Sequence, residues 1–231
     1  MLVDDQLALI FGCCHPALTT EAQVALTLRS VAGLTTAQIG HAFLVPEPTK
    51  AKRLVRAKHK IPAAAIPFTI PDPEHLPERL EAVCGVVYAI FTEGHASAHG
   101  TGLVRGDLCD EALWLAETLA FLAPDQPEVR GLAALCLLTD SRRSTRVDGA
   151  GQPVLLADQD RTKWDQDKIR KGTAHLVAAN ALGSVGVYQL QATMAAIHST
   201  AMDYAETDWQ AIIGVYDVLL SNGAGAVVAL N

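Results

Sequence analysis

The stretch TTAQIGHAFLVPEPTKAKRLVRAKHKI, residues 35–61, decides how this chain reads. It divides into two short helical segments around a tight turn at Val45-Pro46, and the second segment holds nearly all the local positive charge. At about 100° per residue, Ala51, Leu54, Val55 and Ile61 fall on one side of the second segment, together with the stem of Lys58. Thr49, Arg53, Arg56 and Lys60 fall on the opposite side, with Lys52 at its edge. An apolar stripe therefore faces a domain while a hydroxyl and three cations face outward. Pro48 suits a first helical turn, where its missing N–H costs nothing. The first segment starts at Thr35 or Thr36, either of which can cap it, and turns Ile39, Ala42 and Phe43 inward. Gly40 is small where two helices must approach closely. Two helices, a short turn and an outward cation row are the layout of a helix-turn-helix whose second helix enters the DNA major groove. A charge run alone is usually a solvated helix face; the preceding helix and the turn set this one apart.

The surroundings extend the reading. Residues 4–14 have a helical pattern that HP (15–16) ends, and Thr19 or Thr20 caps a second helix that runs to about Val31 and closes at Gly33. Residues 1–61 thus form a compact head of about four helices. Five prolines, at 62, 67, 71, 73 and 77, then forbid a continuous helix. Residues 62–77 read as an extended, semi-rigid linker. Beyond it, apolar periodicity predicts helices over 78–92, 108–123, 128–140, 164–182, 186–201 and 208–221. A polar stretch around Asp148-Gly149 predicts a small β-hairpin. The spacing Trp209-x-x-Ile212-Ile213-x-x-Tyr216 resembles the first helix of a tetratricopeptide repeat. The fold class expected is all-α: a helix-turn-helix head over 1–61, a linker over 62–77 and a helical-hairpin body over 78–231.

Composition agrees with packed helices: 50% of the 231 residues are hydrophobic and only 5% aromatic. Residues 1–60 hold 7 Lys/Arg against 4 Asp/Glu, and residues 61–231 hold 11 against 21, so a head at +3 adjoins a body at −10. Only the head suits a nucleic acid. The acidic total argues against a sequence-blind DNA coat. No apolar run is long enough for a transmembrane helix, and the first residues lack a signal-peptide pattern. The expected location is cytoplasmic. The five cysteines lie in apolar helical stretches and read as buried reduced thiols. Cys13-Cys14-His15 raises the question of a metal, but no second cluster has zinc-finger spacing.

Several segments carry a family likeness. FGCCHPAL (11–18), ALTLR (25–29), GLTTAQI (33–39), FLVPEPT (43–49) and RLVRAK (53–58) resemble region 4 of extracytoplasmic-function sigma factors of the sigma-70 family. YAIFTEGH (88–95), LCDEA (108–112) and LLADQDRTKWD (155–165) resemble the tetratricopeptide-like C-terminal extension found in one subgroup. The resemblance implies a role in transcription initiation, with region 4 docked on the RNA polymerase flap and its second helix in a promoter −35 element. The family motif falls here on Pro46, Glu47, Thr49, Arg53, Arg56, Lys58 and Lys60. The expected DNA contacts are Thr49, Lys50, Lys52, Arg53, Arg56 and Lys60. Arg53 and Arg56 suit guanine edges or phosphate, Lys52 and Lys60 suit phosphates, and Thr49 offers a hydroxyl at a helix N-terminus. Promoter DNA and core polymerase are the implied partners, and a protein or small-molecule regulator is an expected partner of the body. No catalytic residue, metal or cofactor is expected.

Two departures bear on function. Pro48 and Lys50 stand where small or apolar residues are usual in the family, which points to a different promoter preference. The family's region 2 is absent from these residues, and AVVALN (226–231) stops inside an expected helix. The expectation is weak DNA binding and no initiation by this polypeptide alone.

Three other classes compete. A metal-dependent enzyme would use the loop containing Glu93, His95 and His99 with Cys109 and Asp110 nearby, but Ala-Ser-Ala between the histidines supplies no general base of the zinc-protease kind. A polar loop with surface histidines is the plainer reading. A helical scaffold would bind peptides in its concave grooves, and Arg142, Arg143 and Arg146 would pair with acidic body residues or a partner, or lie in a solvated loop. An ordinary repressor would need a dimer to span two half-sites, and nothing in the sequence marks a dimer seam.

Overall fold

A computed structural model describes residues 3–31, 33–37, 39, 59–96 and 104–221. The protein is all-α. Its described helices are α1 (Val3–Cys13), α2 (Thr20–Ser30), α3 (Leu76–His95), α4 (Gly106–Leu122), α5 (Pro127–Asp140), α6 (Gln166–Asn180), α7 (Val187–Thr200) and α8 (Trp209–Ser221). No described helix is long and apolar enough to cross a membrane. The chain divides into two compact units, residues 1–115 and 116–231, with the boundary inside α4.

In the first unit, α1 and α2 pack on each other and both pack on α3. Thr19 caps α2, its hydroxyl accepting from Ala22 N, as the sequence leads one to expect. Gln23 is buried, and its Nε2 donates to the carbonyls of Cys14 (3.1 Å), His15 (2.9 Å) and Leu18 (3.3 Å). One amide thus satisfies the carbonyls left over at the α1–α2 turn. Gly33 takes φ +68°, which ends α2 and lets Leu34 N donate back to Leu28 O at 3.0 Å.

Residues 62–77 behave differently from a spacer. The prolines do exclude regular helix from 64 to 75, but Ile66 is buried. Phe68 lies so close to Gly12 that a Cβ there would come within 2.3 Å of the ring. Arg79, at the start of α3, donates to Phe11 O and lies over the Phe11 ring, 5.9 Å from its centroid. The segment is pinned to α1 by apolar contacts that a sequence reading for proline alone does not register.

The second unit is organised by α5. Residues Gly131 to Leu138 are buried on every side, as a helix apolar all round must be. It packs on α6 and α7, α6 packs on α7, and α7 packs on α8. Small residues set the two close approaches. A Cβ on Gly131 would stand 2.8 Å from Gln189 N in α7, and a Cβ on Gly172 in α6 would stand 2.7 Å from Leu138 Cγ. Glu128, in the first turn of α5, reaches the start of α7 and accepts from Tyr188 N (2.9 Å) and Gln189 N (3.1 Å). It thereby caps a helix other than its own. The other end of α5 carries Asp140, whose side chain is fully buried. It accepts from Arg143 Nε (2.7 Å) and Nη2 (2.8 Å) and from Lys168 Nζ of α6 (2.7 Å).

The expected hairpin reduces to one antiparallel bridge, Val147 with Pro153. Asp148 closes the turn by accepting from Ala150 N (2.9 Å) and Gln152 N (2.8 Å), an Asx turn of the usual kind.

The close approach at Gly131 gives a test with opposite signs. Gly131→Ala is expected to destabilise the second unit by about 1–3 kcal/mol, because the methyl meets a backbone nitrogen that cannot move without α7. Gly214→Ala, in α8 with open space around it, is expected to stabilise by about 0.5–1 kcal/mol. Urea midpoints of the two variants decide the matter.

Candidate nucleic-acid interface

The described part of the candidate interface begins with Thr36 and Ala37, which are helical, and Ile39, whose N donates to Thr35 O at 3.0 Å. Leu34 and Ile39 are completely buried, so the inward side expected of the first segment is inward at Ile39. Thr49, Lys50, Lys52, Arg53 and Arg56 lie outside the described residues, as do Ala42 and Phe43.

The end of the second segment is described, and its geometry is specific. Residues 59–63 are helical. His59 and Lys60 are exposed. Ile61 turns the other way and packs on a cluster of Cys13, Leu18, Leu26 and Ile66. The helix ends with Ile66 N donating to Ile61 O (3.2 Å) and Ala65 N donating to Pro62 O (3.2 Å), with Ala65 at φ +47°. This is a Schellman motif: two crossed backbone bonds, a left-handed residue, and an apolar contact between the residues that flank it. Ile61 and Ile66 are those flanking residues and share one cluster. The motif fixes the rotation of the helix end, with Ile61 held inward and Lys60 held outward. The spacing of Ile61 and Ile66 before Pro67 was a signal for this ending; reading the prolines as a linker passes over it.

The metal and thiol alternatives meet a different geometry. All five cysteines are buried thiols. Burial pushes the Cys13 thiol up to about 11 and the Cys14 thiol up to about 12, and Cys14 Sγ lies 3.9 Å from Thr27 Oγ1. Such thiols stay protonated at neutral pH and are poor nucleophiles. His15 Nδ1 accepts from Ala17 N at 3.1 Å, which occupies it in the turn. Among the described residues no group of three or more His, Cys, Asp or Glu is placed to hold a metal ion.

His95 corrects one expectation. It is buried, not a surface loop residue, and its ring stacks on Phe91 at 5.3 Å. The cause is Gly94. A Cβ there would stand 2.8 Å from Cys109 N, so only glycine lets α3 run on beside the start of α4, where Arg105 N donates to Gly94 O at 2.8 Å. His99 lies outside the described residues.

The arginines beside the bridge are not a solvated loop either. Arg143 forms the bidentate pair with Asp140, one of the acidic body residues the sequence offers. Arg142 is half-buried. The motif LLADQDRTKWD (155–165) is a clasp in which Gln159, Arg161, Trp164 and Asp165 have internal partners. Gln159 Nε2 donates to Val154 O (3.0 Å), and Trp164 Nε1 donates to Thr145 Oγ1 (3.0 Å). Arg161 lies over the Trp164 ring at 4.9 Å and donates to the carbonyls of His198 and Ala201. Asp165 caps α6 through Lys168 N (3.0 Å).

Two outcomes follow from the head. Ala65→Gly removes a left-handed penalty at the Schellman position and is expected to stabilise the first unit by about 0.5–1 kcal/mol, read from the urea midpoint. The raised thiols act with the opposite sign to paired carboxylates. Their ordinary value is 9.0, so the unfolded chain ionises first and stability falls as pH rises from about 9 through the folded values. Urea unfolding between about pH 8 and about pH 10 is expected to show a smaller loss for Cys14→Ala than for the parent protein; equal losses contradict the burial argument.

Residues 79–180, from α3 to the last residue of α6, match a family described as "Family of unknown function (DUF6596)". The chain is also similar to Uncharacterized protein R00370 of Rhizobium meliloti (strain 1021), with 43% identity over 228 residues, which cover 99% of this chain and 54% of that protein. The chain thus spans about half the length of the curated relative it matches. No solved structure matches it.

Proposed function

We propose that the protein acts in the cytoplasm as a sequence-specific DNA-binding factor in transcription initiation, in the manner of a sigma factor. Its first unit would recognise a −35-type promoter element and dock on RNA polymerase, without enzymatic activity of its own. The observation that carries this reading is the split between Lys60 and Ile61. Ile61 is held in the apolar cluster while Lys60 is exposed, and in a helix continuing back from this end Arg56 and Arg53, one and two turns earlier, would also point to solvent. The basic head on an acidic body supports a localised footprint rather than general DNA coating. The resemblance of residues 11–58 to sigma region 4 supplies the polymerase partner. The body is the regulatory module in this reading.

Fluorescence anisotropy with a promoter-like duplex tests it. Four phosphate contacts, from Lys52, Arg53, Arg56 and Lys60, give a slope of about −3 to −4 in a plot of log affinity against log salt. Arg53→Ala combined with Arg56→Ala is expected to lower affinity at least tenfold and make that slope shallower by about 2. Binding that ignores both salt and the double substitution contradicts the proposal.

A further inference from the structure

Within residues 116–231 lies a cavity of about 220 Å³. Its wall includes the apolar side chains of Trp164, Met194 and Ile212, the phenol of Tyr216, and two nitrogen bases, Arg142 and His198. The helices that build it are α5, α7 and α8, with the clasp that precedes α6.

The charges in that wall are not balanced. Two carboxylates of this unit, one at the end of α5 and one at the start of α6, are committed elsewhere. Asp140 is taken by Arg143 and Lys168, and Asp165 is taken by the first turn of α6. Arg142 has no ion pair or side-chain hydrogen bond among the described residues. Burial first, and the like charge of Arg146 second, push its guanidinium down to about 10, so it is still a cation at neutral pH. His198 Nδ1 is buried with no hydrogen-bond partner among the described residues. Burial and the charges of Arg161 and Arg142 lower its pKa, which keeps the ring neutral and able to donate or accept one hydrogen bond. A half-buried cation without a counter-ion costs free energy unless something supplies the missing charge. A polar solvent molecule can hydrate it, but only an anion neutralises it. The apolar part of the wall calls for a non-polar body attached to that anion.

We propose that this cavity binds a small organic monocarboxylic acid, its carboxylate on Arg142 with His198 as second hydrogen-bonding group, and an apolar body of roughly ten heavy atoms or fewer against Trp164, Met194 and Ile212. A planar guanidinium matches a carboxylate through two parallel N–H···O bonds. The tryptophan and the thioether of methionine give a pocket that adapts to aromatic or short aliphatic bodies. The site takes up a ligand without any covalent step. It stands apart from the promoter-binding reading, because its occupancy is measured without DNA.

Isothermal titration of the full chain with phenylacetate tests the site. Acetate, which lacks the apolar body, and phenylacetamide, which lacks the charge, serve as comparisons. Saturable binding of phenylacetate is expected, at least tenfold tighter than either comparison. Arg142→Gln is expected to weaken phenylacetate at least tenfold while leaving the fold intact, since it removes a charge that has no ion-pair partner among the described residues. Met194→Trp fills the cavity from the other side and is expected to abolish the binding, so the conclusion does not hang on one variant. The assignment is overturned if phenylacetate shows no saturable heat up to ~10 mM, the range of the weakest specific ligands. It is equally overturned if acid and amide bind alike, or if folded Arg142→Gln and Met194→Trp proteins bind as the parent does.

Discussion

The second unit depends on the burial of one helix. α5 has no solvent face between Gly131 and Leu138, so its neighbours must close around it. They can do so only where side chains leave room: glycine at 131 admits the α7 backbone, and glycine at 172 admits the Leu138 side chain. The ends of α5 then carry polar work. Glu128 reaches across to cap α7, and Asp140 gathers Arg143 and Lys168 so that the chain after α5 returns to α6. A buried carboxylate is tolerable only when its partners satisfy it, and three charge-assisted bonds of 2.7–2.8 Å do so here. The clasp over 155–165 and the cavity beside Arg142 both exist because the chain must make this return.

The helices were legible because periodicity and punctuation agreed. Thr19 as a cap and Gly33 as a stop are local signals with local causes, and each occupies the expected place. What the sequence left unread was set by tertiary packing. Proline density around 62–77 correctly ruled out a helix, but nothing in that run announces that Ile66 will join a cluster with Cys13 or that Phe68 will cover Gly12. His95 looked like a polar loop residue because its neighbours are polar; Gly94, whose lack of a side chain lets α4 come close, made it a buried one. Nothing local in the sequence singles out Asp140 or Glu128. Their partners lie 28 and about 60 residues away and are brought near only by the fold.

The functional reading rests on a single geometric fact and a local resemblance. The fact is the orientation of the helix that ends at residue 63: a Schellman turn with a non-glycine residue at its left-handed position, held by an isoleucine on each flank. Such an ending leaves little freedom for the described helix end to roll, and it holds Lys60 outward while Ile61 stays in the cluster. The body contributes in another way. Several of its carboxylates are spent on capping and internal pairs, and Arg142, half-buried and without a carboxylate partner among the described residues, lines a cavity. A head that meets an anionic polymer and a body that meets a small anion would give one chain both an output and an input.

Lysine acetylation footprinting reads the orientation directly. The free protein is treated briefly with an acetylating ester, with and without a saturating promoter-like duplex, and modification is counted by mass spectrometry at Lys52, Lys60 and Lys168. The account expects rapid labelling of Lys52 and Lys60 in the free protein, strong protection of both by the duplex, and slow labelling of Lys168 in either state because Asp140 holds it. Slow labelling of Lys52 and Lys60 before DNA is added, or equal labelling with and without bound duplex, would contradict it.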